Sequence, residues 1–425
     1  MSDREKIGLG LGEEVDLARF QQQIGPGEER AVELAPVKEP DTPGEWIRQN
    51  LFSSWFNAAL TLVSGAFVIF ALYQIFKFVF VSGEWAVIRA SMRAYMVGGF
   101  PEEELWRVWT SLYGVALLGG LSWGITRVQM RWSVRRIVVA AGAAAFLVMI
   151  VQYSVRTTYS RLLVAGVVGV VVAATVLGRI VGPRLRRPLL IAWLLAFPAI
   201  ILALRGFDGV PPHLWEGFLF NMIAATVGIF ASFPIGIALA LGRRSRLPGI
   251  KVVCVAFIEL FRGVPLVAWL IFSKFVLDLL LPPGWDLPDI IKAFVVMTLF
   301  SAAYVAEIVR GGLQGVHFGQ FEAARALALP TTRMMGLIIL PQALRSTIPA
   351  MISHFISLFK DTALFSAIEV TDLLEAARRS SNPQGPFGGT DLETLIFAGF
   401  VFWMVAFSMS RWSQRLEVRL GVGER

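Results

Sequence analysis

Charge is scarce in this chain. Only 16% of its 425 residues are Asp, Glu, Lys or Arg, against 56% hydrophobic residues, and the mean hydropathy is +0.64. That balance is too apolar for one soluble core or several, and it excludes disordered and collagen-like chains. A single cysteine, Cys254, excludes an intrachain disulfide framework; it lies in an apolar run and reads as a small packing residue. The three histidines, His213, His317 and His354, have no second ligand at metal-site spacing, so no metal site is expected. No Gly-Lys dipeptide occurs, hence no G-x-x-x-x-G-K-[ST] phosphate loop, and any ATP must be hydrolysed by another chain. No nucleophile, base and oxyanion constellation emerges among the serines, so no enzymatic chemistry is expected.

What the chain has in abundance is apolar runs. A hydrocarbon slab about 30 Å thick takes about 20 mostly apolar residues per helical crossing. The pattern gives ten crossings, at about 55–80, 106–126, 137–152, 162–178, 188–204, 216–241, 250–281, 289–310, 346–368 and 393–411. The expected fold is an all-α membrane protein of about ten helices, embedded in a lipid bilayer. Residues 250–281 exceed one crossing and hold Arg262, Gly263 and Pro265. A proline removes a backbone donor and clashes with the preceding turn, so a kinked helix is expected there in preference to two pieces. The group Gly114, Gly119 and Gly120 points to close helix packing.

Residues 1–50 form a solvated tail with 11 acidic and 6 basic side chains, whereas the rest of the chain carries 33 basic and 20 acidic ones. The formal charge of +8 does not indicate nucleic acid, because the arginines are scattered between apolar runs rather than clustered. They act as topology signals. Arg127, Arg131, Arg135 and Arg136, then Arg179, Arg184, Arg186 and Arg187, then Arg243, Arg244, Arg246 and Lys251, then Arg310, Arg325, Arg333 and Arg345 fall in every second loop. Lys and Arg accumulate on the cytoplasmic side, so both termini are expected there.

Residues 311–345 are longer than a connection needs and read as two short helices joined by a turn. Glu322 to Leu329 are good helix formers, Pro330 ends the run, Thr331 or Thr332 can cap the second helix, and a second apolar stretch stops at Pro341. Short amphipathic helices at a membrane surface suit docking in a groove on a soluble partner. Polar residues inside apolar segments form the other candidate set. Asp361, with Thr362 beside it, could face a polar pathway and hold an ammonium group there, while Lys360 pairs with another helix; the alternative is a helix-end charge pair. Asn221 and Thr226 either line the same pathway or hydrogen-bond a neighbouring helix. Glu259 and Arg262 are one turn apart and are expected to form a local pair beside the Pro265 bend, as gating architecture.

These residues resemble a known family. Glu322-Ala323-Ala324, Ala328 and Ile338-Ile339-Leu340-Pro341 are similar to the EAA loop of ABC-transporter permeases, EAA-x3-G-x9-I-x-L-P, with Ala328 in place of the family's glycine. A left-handed turn at an alanine costs about 1 kcal/mol or more. The stretches Ile258 to Leu266, Ala306 to Gly312 and Phe359 to Leu364 resemble the polar amino acid branch. The opening Trp46 to Phe52 and the extra helices resemble the long permeases of general L-amino acid and glutamate/glutamine/aspartate/asparagine systems.

The resemblance implies a cytoplasmic tail over 1–50, an N-terminal transmembrane extension over 51–210 and a type I importer permease core over 211–425. It implies polar amino acid import across a bacterial inner membrane by alternating access. Glu322, Ala323, Ala324, Ala328, Leu340 and Pro341 would couple to two ATPase subunits that carry ATP and Mg. A sister permease, in a heterodimer or a homodimer, and a periplasmic amino acid binding protein complete the set, with no cofactor on this chain. An ion-coupled secondary carrier is the alternative.

Overall fold

A computed structural model of the chain describes residues 42–126, 158–280, 282 and 287–420. Among the described residues the architecture is helical, and its β pairing is one isolated bridge between Gly217 and Asp372. Eight helices there are long and apolar enough to cross a membrane, and a broken pair makes a ninth. They coincide with nine of the ten expected crossings. The remaining one, 137–152, lies outside the described residues.

The chain divides into two units, one up to Ser82 and one from Gly83. In the first, α1 (Pro43–Leu51) opens on a capping box in which Thr42 and Glu45 satisfy each other's backbone donors. Ser54 caps α2 (Trp55–Lys77) by accepting from the Asn57 amide, and a π turn, Phe78–Ser82, extends it. The apolar side chains of α2 face outward all round, as lipid-facing groups do.

The second unit begins with a helix that hydropathy does not disclose. In α3 (Ala86–Val97), Val87, Ile88, Tyr95 and Val97 are buried, while Arg89 and Arg93 are exposed. Helix α4 (Leu105–Thr126) then packs closely beside α5 (Thr158–Val181). A Cβ at Gly124 would stand 2.3 Å from the Thr175 carbonyl, so only glycine allows this approach. Gly120 meets the same helix, but Gly114 and Gly119 face open space, contrary to the expectation for that group. Helix α6 (Arg186–Arg205) is fastened to α4 by Arg107, which is 6% exposed and donates to the Ala203 and Gly206 carbonyls at 2.9 Å.

The core surrounds α11 (Asp289–Gly315), flanked by α7 (Gly217–Arg243), α8 (Pro248–Gly263) and α14 (Leu340–Asp361). A Cβ on Gly236 of α7 would fall 2.5 Å from Val305, so a missing side chain again sets the helix separation. Between α8 and α9 (Leu266–Phe275) the chain breaks by 100°. The expected kink is therefore a full break. Val264 is extended at φ −117° and ψ 135°, because a residue before proline is pushed out of the helical region, and Pro265 starts the next helix. The short α10 (Leu277–Leu280) comes next.

A hairpin links α11 to α14 through α12 (Phe318–Ala326), α13 (Thr331–Arg333) and a π turn, Met334–Ile339. Two expectations fail here. Neither Thr331 nor Thr332 caps: both are already helical, and extended Pro330 holds the cap position. Nor does the helix stop at Pro341, which sits in the first turn of α14. The wide π turn makes room for its ring, with the Leu340 amide donating to Met335 O and the Gln342 side chain donating to Ile338 O at 2.9 Å. At the other end of the bundle, α15 (Leu373–Ser380) is capped by Asp372 and precedes α16 (Asp391–Leu420).

Candidate functional site

The EAA-like residues form the hairpin's outer turn. Glu322 and Ala323 are exposed on α12, while Ala324 is buried in one apolar cluster with Met334, Ile339, Val309 and Ala240. Ala328 has φ +50°, so the left-handed turn expected to be awkward without glycine is made here by an alanine. The Ala328 amide donates to Arg325 O at 2.9 Å and the Leu329 amide to Ala324 O at 3.1 Å, the bonding of a Schellman cap. Leu340 is half-buried and Pro341 exposed. Phe318, Leu327 and Leu337 add large exposed apolar surface beside Glu322, Arg325 and Arg333. The result is a rigid, mixed apolar and charged knob anchored on its inner side, a shape suited to a groove on another protein.

Near the hairpin end lies a charge cluster. Glu259 and Arg262 do not pair with each other as expected. Glu259 meets Arg243 of α7 at 3.3 Å, and Arg262 meets Glu307 of α11 at 3.8 Å while lying 5.5 Å from the Tyr304 ring centroid. Cross-helix partners win because Glu307 already gathers Arg243 at 3.1 Å and Arg310 of its own helix. Further into the bundle, His354 contacts Ser301 Oγ at 2.9 Å, and Ser301 donates to Ser232 at 3.0 Å. His354 is thus a packed polar residue with its ring stacked on Tyr304.

The opposite end of the core is tied by buried polar groups. Asn221, fully buried, donates to Thr362 Oγ1 at 2.9 Å and to Asp372 Oδ2 at 3.1 Å, and accepts from the Leu373 amide at 3.0 Å. Thr362, also fully buried, donates to Phe359 O at 2.6 Å. Of the two readings of Asn221, lining a passage or bonding a neighbouring element, this conformation shows the second, and Thr362, placed beside the pathway from sequence, is sealed with it; their polar atoms are occupied, so they act as ties. Burial pushes the Asp372 carboxyl above the usual carboxylate range, against hydrogen bonds from the Glu375 amide and Asn221. Thr226 is half-buried and donates to Met222 O of its own helix. Asp361 is half-buried at the last position of α14 and makes no hydrogen bond or ion pair among the described residues. Lys360 is exposed there and pairs with no other helix among them; its charge acts on the neighbouring Asp361, and its long side chain reaches polar surroundings at the helix end.

Five charged residues of this end were not singled out from sequence. Lys292, 2% exposed, bridges Asp278 and Asp289, each at 2.7 Å, which holds α10 to α11. Lys274 of α9 donates to Ile368 O at 2.9 Å and to Glu369 at 2.6 Å. Lys292 and Asp289 are three residues apart, a spacing that signals a pair; the partner of Lys274 lies 95 positions away and has no local signal.

Comparison with known proteins places this geometry in a class. Residues 232–422 match the family described as binding-protein-dependent transport system inner membrane component. The chain is 34% identical over 383 residues to the inner membrane amino-acid ABC transporter permease protein YhdY of Escherichia coli (strain K12), covering 89% of this chain and 93% of YhdY. It is 31% identical over 421 residues to the glutamate/glutamine/aspartate/asparagine transport system permease protein BztC of Rhodobacter capsulatus, covering 88% of this chain and 93% of BztC. A solved amino acid ABC transporter with histidines is 28% identical, with a TM-score of 0.43, over 48% of this chain and 92% of its own. The chain belongs to the amino-acid ABC transporter permeases. It is the multi-pass inner-membrane subunit of an importer, working with a separate ATPase and a substrate-binding protein.

Proposed function

We propose that this chain passes polar amino acids, of the acidic and amide kind named for BztC, by alternating access. The hairpin from Phe318 to Arg345 is the part on which an ATPase acts. One observation carries the reading: Glu322 and Ala323 are presented outward on a turn locked by Ala328, while Ala324, Met334 and Ile339 root that turn in the core. A rooted knob transmits displacement, whereas a loosely attached one would absorb it. Two ATPase subunits, carrying ATP and Mg, sit beneath a heterodimer of this chain with a sister permease. The hairpin end and both termini face the cytoplasm, in accord with the arginines of the alternate loops.

Cargo meets Asp361 and Thr226, the two expected pathway residues whose side chains are neither sealed nor tied to another helix. Replacing Glu322 with Lys tests the docking face. Uptake into vesicles should fall about tenfold or more while the protein still inserts, because the like charge opposes a contact made by the exposed carboxylate. Normal uptake by that variant would reject the hairpin as the docking element.

A further inference from the structure

The last residue of the long core helix α7 and the residue after it reach in different directions. Arg243 turns into the bundle, to Glu307 at 3.1 Å and Glu259 at 3.3 Å. Arg244 reaches the hairpin: its guanidinium lies 6.0 Å from the Phe321 ring centroid on α12 and donates to the Leu313 carbonyl in the last turns of α11 at 3.4 Å. One helix end therefore touches both the hairpin and a charge cluster. That cluster draws on three helices, with Arg243 from α7, Glu259 and Arg262 from α8, and Glu307 and Arg310 from α11.

The two kinds of contact respond differently to force. The hairpin roots in an apolar cluster with Ala240, Ile258, Val309 and Leu313, and such contacts are non-directional. Charge-assisted hydrogen bonds fix direction and register, and guanidinium groups hold a carboxylate in a defined geometry. Glu307 is only partly exposed, which limits screening of its three arginine contacts. Helix α8, bound into the cluster by Glu259 and Arg262, ends at the 100° break before Pro265, the natural hinge of the core.

We propose that Glu307, with the Arg243–Arg244 pair, is the joint through which the hairpin drives α7 and α8 about the break at Val264. These are positioning residues and touch no cargo. The inference rests on the hairpin being the ATPase-docking element and adds the path by which its displacement reaches the pore helices. Pushing on the hairpin moves Arg244, the adjacent Arg243 moves with it, and the cluster carries α8 along. Without the cluster, the hairpin slides on its apolar seat while α8 stays behind.

The test uses the complete transporter in proteoliposomes, with its ATPase and binding protein, and reads both ATP hydrolysis and amino acid uptake. Glu307→Gln should leave hydrolysis stimulated by liganded binding protein but lower the amino acid imported per ATP by about tenfold. Glu307→Asp should restore part of that ratio, which a merely space-filling role would not predict. Should Glu307→Gln fail to reach the membrane, Arg244→Gln at the helix end should show the same uncoupling. An unchanged ratio in Glu307→Gln, or hydrolysis and uptake falling in proportion in an assembled complex, would overturn the joint. The docking reading fails separately, if Glu322→Lys keeps the ATPase bound and transports normally. Loss of ATPase binding in Glu322→Lys, with unchanged coupling in Glu307→Gln, overturns the joint alone.

Discussion

The two ends of the permease core are held by different physics. At the hairpin end, ionised groups from α7, α8 and α11 gather around Glu307, partly exposed, with three arginines on Glu307 and two carboxylates on Arg243. At the opposite end, Asn221, Thr362 and Asp372 form a sealed set of short, directional hydrogen bonds. Charges shared among three helices hold those helices to one another, and their partial exposure lets the joined end shift as a unit against its surroundings. A sealed amide cannot move without leaving a donor unsatisfied. The difference marks where the core stays rigid and where it flexes: the far end keeps α7, α14 and α15 together while the hairpin end shifts.

The contrast can be broken outright by substitution. Asn221→Leu removes three hydrogen bonds from a buried site and strands the Leu373 amide, so it should lower stability by about 3 kcal/mol. Thermal unfolding in detergent would measure this. Glu307→Gln should cost clearly less by the same measurement, because its arginines are partly solvated; equal losses would erase the distinction between the ends. Asp361→Asn probes the far end for cargo contact. It should raise the apparent KM for amino acid about fivefold without changing the melting temperature, since no partner among the described residues is lost.

Smaller effects sharpen the comparison. Ala328→Gly should stabilise the hairpin by up to about 1 kcal/mol, by relieving the cost of φ +50° at an alanine. Two carboxyls near the far end should give opposite pH dependences. Lys274 holds Glu369 below its usual 4.5, so the stability it contributes is present above that value and lost as pH falls through the lowered one. Burial holds Asp372 above its usual 3.8, so its contribution is present in acid and lost as pH rises through the elevated value. Melting temperature followed against pH should lose part of its acid-side fall in Glu369→Gln and part of its opposing slope in Asp372→Asn.

Much of this architecture was legible in the chain. The apolar runs mark the crossings seen among the described residues, and the EAA-like pattern marks the hairpin and its turn. Helices α3 and α15 were not legible, because each is shorter than a crossing and buries one face only. The break at Val264 was visible as a proline, but its 100° angle was not: a proline removes one hydrogen bond, and neighbouring helices decide how far the chain then turns. Among candidate site residues, local spacing misled most. Glu259 and Arg262 lie one turn apart, yet each finds a partner on another helix. Asn221, read as either lining or a bond to a neighbouring helix, takes the second role, with Thr362 and with Asp372, both far along the chain.

The sequence by itself determined which segments enter the bilayer and where a protruding turn lies, since hydrophobic length and turn chemistry are local properties. Only the tertiary structure decided which polar groups satisfy one another. Inside a membrane each such group must take a partner from whatever helix lies alongside, and that neighbour is chosen by packing across the whole bundle.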